Sequence, residues 1–382
     1  MSMHTLADVL KSVMRTRQWS QARLGQEFGV SQEWVSKVTR GKLDPGIGKI
    51  SRLLDHVGWE VRIVPKGEET DPVKRRQFLT VAASVAFVPS ASANPYRDPA
   101  YVHTLAKTLN EGLYDHGGIP ILPTAIRHVR HLESALTGDD RHLQAAASDL
   151  AFWAAWIARD AGRFDTAEHL GRLALALAER AGDQEAQSAA CSALSKISAN
   201  RHRLDQAVMY AQRGIAFQEI TDERRAWLYV RLGDALARVG GQEYSAHDAL
   251  ARAQGFAENL PNVVDTADLI MSAGGALSKL RAYEDAYSSL GEAVRLSGDR
   301  SPLLRADTLC FQAVTALHAA DPLFAADRMF GLARVTPLIS SSRLDKKLNE
   351  LLAISARWTA VPEIRSAREQ LHTIRQPITP DA

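Results

Sequence analysis

From about residue 100 onward the 382-residue chain repeats itself, and no other feature constrains the fold as much. The stretch AGRFDTAEHLGRLALALAERAGD (161–183) recurs loosely as NRHRLDQAVMYAQRGIAFQEITD (200–222), and LRAYEDAYSSLGEAVRLSGD (280–299) follows the same template. One alanine marks each unit, at Ala167, Ala207, Ala249, Ala286, Ala325 and Ala367, spaced 40, 42, 37, 39 and 42 residues apart. A period near 40 with a small residue at a fixed place suits stacked helical hairpins. The small side chain lets two antiparallel helices approach, and each unit buries its apolar face only against its neighbours. The chain is also rich in Ala, Leu and Arg with little β-branched clustering, which favours helices.

These units resemble tetratricopeptide repeats with slightly lengthened loops. Residues 97–137 are expected to add a hairpin before the first clear unit, and IRSAREQLHTI supplies the last helix, so the repeat domain spans 97–376. A tail, 377–382, is left over. Such a solenoid presents the first helix of each hairpin along a concave face. Counting back from each alanine places Phe152, Trp156 and Arg159 there in the first unit, and Ser192, Lys196 and Asn200 in the second. Anchoring the third unit on Gly233 adds Asp234 and Arg238, and the fourth contributes Met271 and Lys279. Aromatic floor, mixed charges and an Asn amide suit a peptide or a small acidic effector: the amide satisfies backbone groups and the cations hold a carboxylate.

The N-terminal part reads differently. Residues 5–17 carry Leu6, Val9, Leu10, Val13 and Met14, one helical stripe. Ser20 is a cap for a short helix containing Leu24 and Phe28, Gly29 suits the bend after it, and Ser31 caps the next helix through Trp34, Val35 and Val38. A further helix with Ile50, Leu53, Leu54 and Val57 follows Pro45. Two short helices joined by Gly-Val-Ser form a helix-turn-helix pattern. The segment WSQARLGQEFGVSQEWVSKVTRGK resembles the lambda-repressor-like, xenobiotic-response-element family over about residues 4–60, departing from it at Thr39, where many members carry Glu. The resemblance implies that Gln32, Glu33, Ser36 and Lys37 read base edges. Those side-chain types match adenine, cytosine and guanine acceptors and donors in the major groove. Gln21, Arg23, Arg40 and Lys42 are then phosphate contacts that set register. Trp34 is read as a core residue rather than a contact to a thymine methyl.

Charge supports this division. Residues 1–80 hold 14 Lys+Arg against 9 Asp+Glu, leaving 32 against 35 for the rest, so a net charge of +2 conceals a basic unit joined to a slightly acidic one. The first domain is therefore assigned to 1–66, ending in an extended arm (58–66) in which Trp59, Val61 and Ile63 alternate with polar residues. The linker 67–96 contains KRRQFLTVAASVAFVPSASA, with Arg75-Arg76 before a short apolar run, which resembles a twin-arginine export signal. Its place behind a DNA-binding unit favours a linker helix instead.

No apolar run approaches the ~20 residues that span a bilayer. Two cysteines, Cys191 and Cys310, make neither a disulfide framework nor a thiolate metal site and read as packing residues in a reducing cytoplasm. His103, His116, His128 and His131 lack the further ligands that a metal needs. The Gly pairs in GGIP and AGGA carry no motif, and no nucleophile elbow or phosphate loop appears, so neither enzyme nor cofactor is expected. The expectation is an all-α chain, a helix-turn-helix domain followed by an α-solenoid. By resemblance it is a cytoplasmic, dimeric transcriptional regulator. Such a protein binds a palindromic double-stranded DNA operator and senses a peptide or small-molecule effector, as peptide-sensing bacterial regulators do. The alternative is an interaction scaffold whose repeats bind a partner protein, with DNA binding secondary.

Overall fold

The computed structural model describes Leu10, Met14 and residues 19–28, 30–40, 94–136, 138–257, 262–298 and 301–375. The chain divides into two compact units, Met1–Val88 and Pro89–Ala382. Among the described residues every regular element is a helix. The expected helix 45–57, the arm 58–66, the Arg75-Arg76 linker and the tail 377–382 lie outside them, as does most of 5–17.

In the N-terminal unit, α1 (Gln21–Phe28) and α2 (Gln32–Thr39) form a helical pair. Ser20 Oγ accepts from the Arg23 amide at 3.2 Å and Ser31 Oγ from the Trp34 amide at 3.1 Å, so both expected caps are made. Leu24, Phe28, Val35 and Val38 bury against Leu10, and Met14, Trp19 and Trp34 pack around them. Trp34 thus belongs to the core. Gly25 lets the two helices meet. A Cβ there would sit 2.8 Å from the Val30 carbonyl oxygen.

The second unit opens with the hairpin α3 (Pro99–His116) and α4 (Gly118–Ala135). Six further hairpins follow: α5/α6 (Arg141–Asp160, Phe164–Ala181), α7/α8 (Gln184–Asn200, Leu204–Ile215), α9/α10 (Asp222–Val239, Glu243–Ala257), α11/α12 (Val263–Lys279, Tyr283–Ser297), α13/α14 (Pro302–His318, Pro322–Val335) and α15/α16 (Ser342–Ser355, Pro362–Arg375).

Local chemistry resets the chain at the start of every hairpin. Asp140, Asp183, Thr221, Asn262, Ser301 and Ser341 each precede a first helix and accept one of its orphan amides, or two in the case of Asp140. The turn inside a hairpin repeats as well. Gly162, His202, Gly241, Arg281 and Ala320 all stand two residues before a second helix and all take a left-handed φ, between 58° and 75°. The residue after four of them closes the turn on a carbonyl five back: Arg163 on Ala158, Arg203 on Ser198, Ala282 on Leu277 and Asp321 on Ala316.

The marker alanines Ala167, Ala207, Ala286, Ala325 and Ala367 are fully buried, where the second helix presses on its neighbours. The third unit needs a correction of phase. Aligning the helix starts makes Ala246, not Ala249, the equivalent position, which turns the uneven spacings 42 and 37 into 39 and 40. Both alanines are buried one turn apart on α10, so the alternation of small residues did not distinguish them.

The stack curves far enough for its beginning to touch its end. Gly117 has a φ of 81°, and a Cβ there would lie 2.5 Å from the Ser340 carbonyl oxygen. The Ile119 amide donates to Ser340 O (3.1 Å) and the Ser340 amide to His116 O (2.8 Å). Asp160, only 1% exposed, completes the seam: it accepts from the Gly118 amide (2.7 Å), Ser341 Oγ (2.8 Å) and Arg343 Nε (3.0 Å). Farther along, Tyr114 donates to Asp268 Oδ2 (2.7 Å) and its carbonyl accepts from Ser301 Oγ (3.3 Å).

Candidate functional site

Two places carry functional side chains, one in each unit. On α2, burial of Val35 and Val38 fixes the helix by one face, which leaves Gln32, Glu33 and Lys37 exposed and Ser36 half-buried. Of the residues read as phosphate contacts, Arg23 and Arg40 are exposed, Gln21 is half-buried and Lys42 lies outside the described residues. Two of these groups already have partners. Lys37 Nζ lies 2.8 Å from Glu33 Oε1 and Arg23 lies 2.6 Å from Glu27 Oε1. The hydrogen bond and charge of Lys37 hold the Glu33 carboxyl below its ordinary pKa. Such solvated pairs are weak and easily exchanged for other contacts.

In the second unit, the first helices of the hairpins enclose a cavity of about 470 Å³. Phe152, Trp156, Arg159, Ser192, Lys196, Asn200, Asp234, Arg238, Met271 and Lys279, the inward residues expected from the repeat alanines and, in the third unit, from Gly233, all line it. The inward position repeats because a 40-residue period returns each first helix to the same orientation. The wall also includes residues outside that set: Tyr114 from α3, Trp227 and Arg231 from α9, Asp307 and Phe311 from α13, and Arg343 and Lys347 from α15.

The electrostatics of the wall centre on two buried carboxylates. Asp234, 2% exposed, is met by Lys196 Nζ and Lys279 Nζ at 2.7 Å each and by Arg238 at 3.2 Å. Although burial opposes ionisation, those three cations hold its carboxyl well below the usual carboxylate range. Asp307 pairs with Arg343 (2.6 Å) and Lys347 (2.8 Å), which lower its pKa against the same burial penalty. The expected cations Lys196, Arg238 and Lys279 are therefore already engaged within the wall, all three on one carboxylate. The expected amide acts likewise: Asn200 Oδ1 accepts from Arg159 Nε at 2.7 Å and so orients a guanidinium.

Among the described residues, two guanidinium groups of the wall have no carboxylate in ion-pair contact. Arg159 is 8% exposed and Arg231 is 5% exposed. Arg159 lies 5.0 Å and Arg231 5.2 Å from the centre of the Trp156 ring, and Arg231 lies 4.6 Å from that of Trp227. Arg231 Nε is buried with no hydrogen-bond partner among the described residues. Burial first, then the neighbouring Arg343 and Arg231 charges, brings the Arg159 pKa down to about 9. Across the cavity, burial followed by Glu223 and Asp268 raises the Asp265 carboxyl to about 6.

No protein-family profile matches the chain. No curated protein sequence matches it either. Among solved structures it is similar to the crystal structure of a Rap protein complexed with competence and sporulation factor. The two share 10% identity, with 93% of this chain and 98% of that one covered and a TM-score of 0.48. A likeness at that level assigns neither a ligand nor a partner to this chain.

Arg231 and Trp227 carried a signal that the alanine count passed over. Trp227, Arg231, Asp234 and Arg238 form one stripe along α9, so placing the last two inward implies the first two. Asp307 and Phe311 stand on α13 80 positions after Trp227 and Arg231, so the repeat implies them as well. Arg343 and Tyr114 gave no comparable sign. They reach the cavity where the two ends of the stack meet, and local spacing holds no record of that. Among the described residues, no three His, Cys, Asp or Glu side chains are grouped to hold a metal ion. His128 Nδ1 lies 2.8 Å from the Tyr96 hydroxyl, and Cys191 and Cys310 are buried and unpaired. No helix among the described residues is long and apolar enough to cross a membrane.

Proposed function

We propose that this chain is a sequence-specific DNA-binding transcriptional regulator, acting as a homodimer, whose repeat unit senses an effector. On this reading α2 enters the major groove, with Gln32, Glu33, Ser36 and Lys37 at the base edges. Arg23, Arg40, Lys42 and Gln21 contact the phosphates. A modest basic excess in the first 80 residues favours two copies on a two-fold site over one copy bound by charge alone. The effector occupies the cavity of the repeat unit and acts by binding two arrangements of the dimer with different affinity.

The observation that carries this reading is the pairing, within one chain, of two elements. One is a capped helical pair with an exposed polar face, and the other is a cavity whose wall holds two buried guanidinium groups with no counter-ion among the described residues. A volume near 470 Å³ is in the range of small-molecule sites and holds a small molecule or a short stretch of peptide. The test is a footprint on DNA retained by the full chain, with and without candidate effectors. A protected two-fold site whose occupancy changes with effector supports the reading. Retention of fragments with no common sequence favours the interaction scaffold.

A further inference from the structure

We infer that the cavity is built for an organic anion, whose carboxylate or phosphate group is received by Arg159 and Arg231 beside the Trp156 and Trp227 rings. This rests on the effector reading above and narrows its ligand class.

The charges of the wall identify the place. Nine Lys and Arg and seven Asp and Glu line the cavity. Lys196, Lys279 and Arg238 meet Asp234, while Arg343 and Lys347 meet Asp307, and Arg343 also meets Asp160. Arg224 lies 3.1 Å from Glu185, and Lys346 is exposed to solvent. Arg159 and Arg231 are what is left, and both are more than nine-tenths buried. Asp268 and Asp234 attract Arg231 from a distance, but among the described residues no carboxylate forms an ion pair with it.

A buried cation without a partner is strongly unfavourable. Indole faces soften that penalty by cation–π attraction without supplying a counter-charge. A guanidinium presents a planar fork of donors that matches carboxylate and phosphate oxygens, and here the orphaned Arg231 Nε is part of that fork. Asn200 fixes Arg159 through Nε and leaves its terminal nitrogens to a ligand. The aromatic wall of Phe152, Trp153, Trp156 and Trp227 then receives the apolar body attached to the acidic group.

The full chain is titrated with 8-anilinonaphthalene-1-sulfonate and with its uncharged counterpart N-phenyl-1-naphthylamine. Each titration is read by dye fluorescence, with far-UV circular dichroism confirming the fold. Wild type should bind the anionic dye about tenfold or more tightly than the neutral one, the factor expected from one charge-assisted hydrogen bond. R159Q and R231Q should abolish that preference while leaving neutral-dye binding in place. Without ligand, both variants should melt no lower than wild type, since an uncompensated charge has been removed. R231K keeps the charge but not the fork and should lose most of the preference. Displacement of the anionic dye by 2-naphthoate points to a carboxylate ligand, and displacement by inorganic phosphate to a phosphate. Equal affinity for the two dyes, unchanged preference in the variants, or displacement by neither anion would overturn the inference. DNA enters none of these readouts, so their failure leaves the regulator reading standing. An anion that binds without altering the footprint keeps the subsite and removes the effector role.

Discussion

Replacing Asp160 with Asn should open the seam that joins the two ends of the repeat stack. The carboxylate accepts three donors, the Gly118 amide, Ser341 Oγ and Arg343 Nε, and is almost wholly buried. An amide of the same shape offers one acceptor oxygen and turns an NH₂ group toward at least one of those donors. The charge-assisted bond to Arg343 contributes about 1.5–3 kcal/mol, and a buried donor left facing another donor costs about 1–3 kcal/mol. Arg343 retains Asp307, so the loss falls toward the lower part of the summed range, about 3 kcal/mol. That is roughly two orders of magnitude in a local opening equilibrium. Amide hydrogen exchange at Ile119 and Ser340 reads it directly, because their hydrogen bonds to Ser340 O and His116 O cross the seam. Both amides should exchange about 100-fold faster in Asp160→Asn. Asp165→Asn, which removes an exposed partner of Arg201, should leave them unchanged. Exchange at Ile119 and Ser340 that is unaltered by Asp160→Asn would refute the assignment of the seam to this carboxylate.

Other consequences are equally open to measurement. Arg281→Gly and Ala320→Gly relieve left-handed backbone at hairpin turns, so each should raise stability by about 1 kcal/mol in chemical denaturation, and a loss would contradict the turn geometry. Gly25→Val places a side chain against the Val30 carbonyl, so DNA retention should fall while the thermal transition of the repeat unit is unchanged. With its carboxyl raised to about 6, Asp265 penalises the folded state above that pH and relieves it as pH falls toward the ordinary carboxylate range. Wild type should therefore gain more in Tm between about pH 7.5 and about pH 5.5 than Asp265→Asn, and equal gains would exclude this origin.

Much of the fold was legible because the repeat imposes it locally. The capping residues and the buried alanines recur near every 40 positions, and each acts within a few residues of where it is read. Ala249 was misphased because Ala246 lies one turn away on the same buried face of α10, so either satisfies the small-residue rule. The inward stripe was legible for the same reason, and ten residues named from spacing alone meet in one cavity. Their pairing was legible only in part. Arg238 follows Asp234 by one turn of α9, within local reach, but Lys196 and Lys279 come to that carboxylate from α7 and α11, and spacing does not show that they converge. Gly117 and Gly118 are an unremarkable pair in the sequence, yet Gly117 proves to be where residues more than 200 positions apart touch, and Gly118 closes on Asp160 beside it. In the N-terminal unit the caps and the apolar spacing carried the reading, although the Glu33–Lys37 pair shows the expected reading residues engaged with each other.

The regulator reading is tested most directly by sequencing the genomic DNA that the full chain retains at moderate salt, for wild type, for Gln32→Ala with Lys37→Ala, and for Arg159→Gln with Arg231→Gln. We expect wild type to enrich one two-fold symmetric site. The α2 variant should lose that enrichment, and the cavity variant should keep it. Random fragments with wild type, or the same site still enriched by the α2 variant, would contradict DNA reading by this helix.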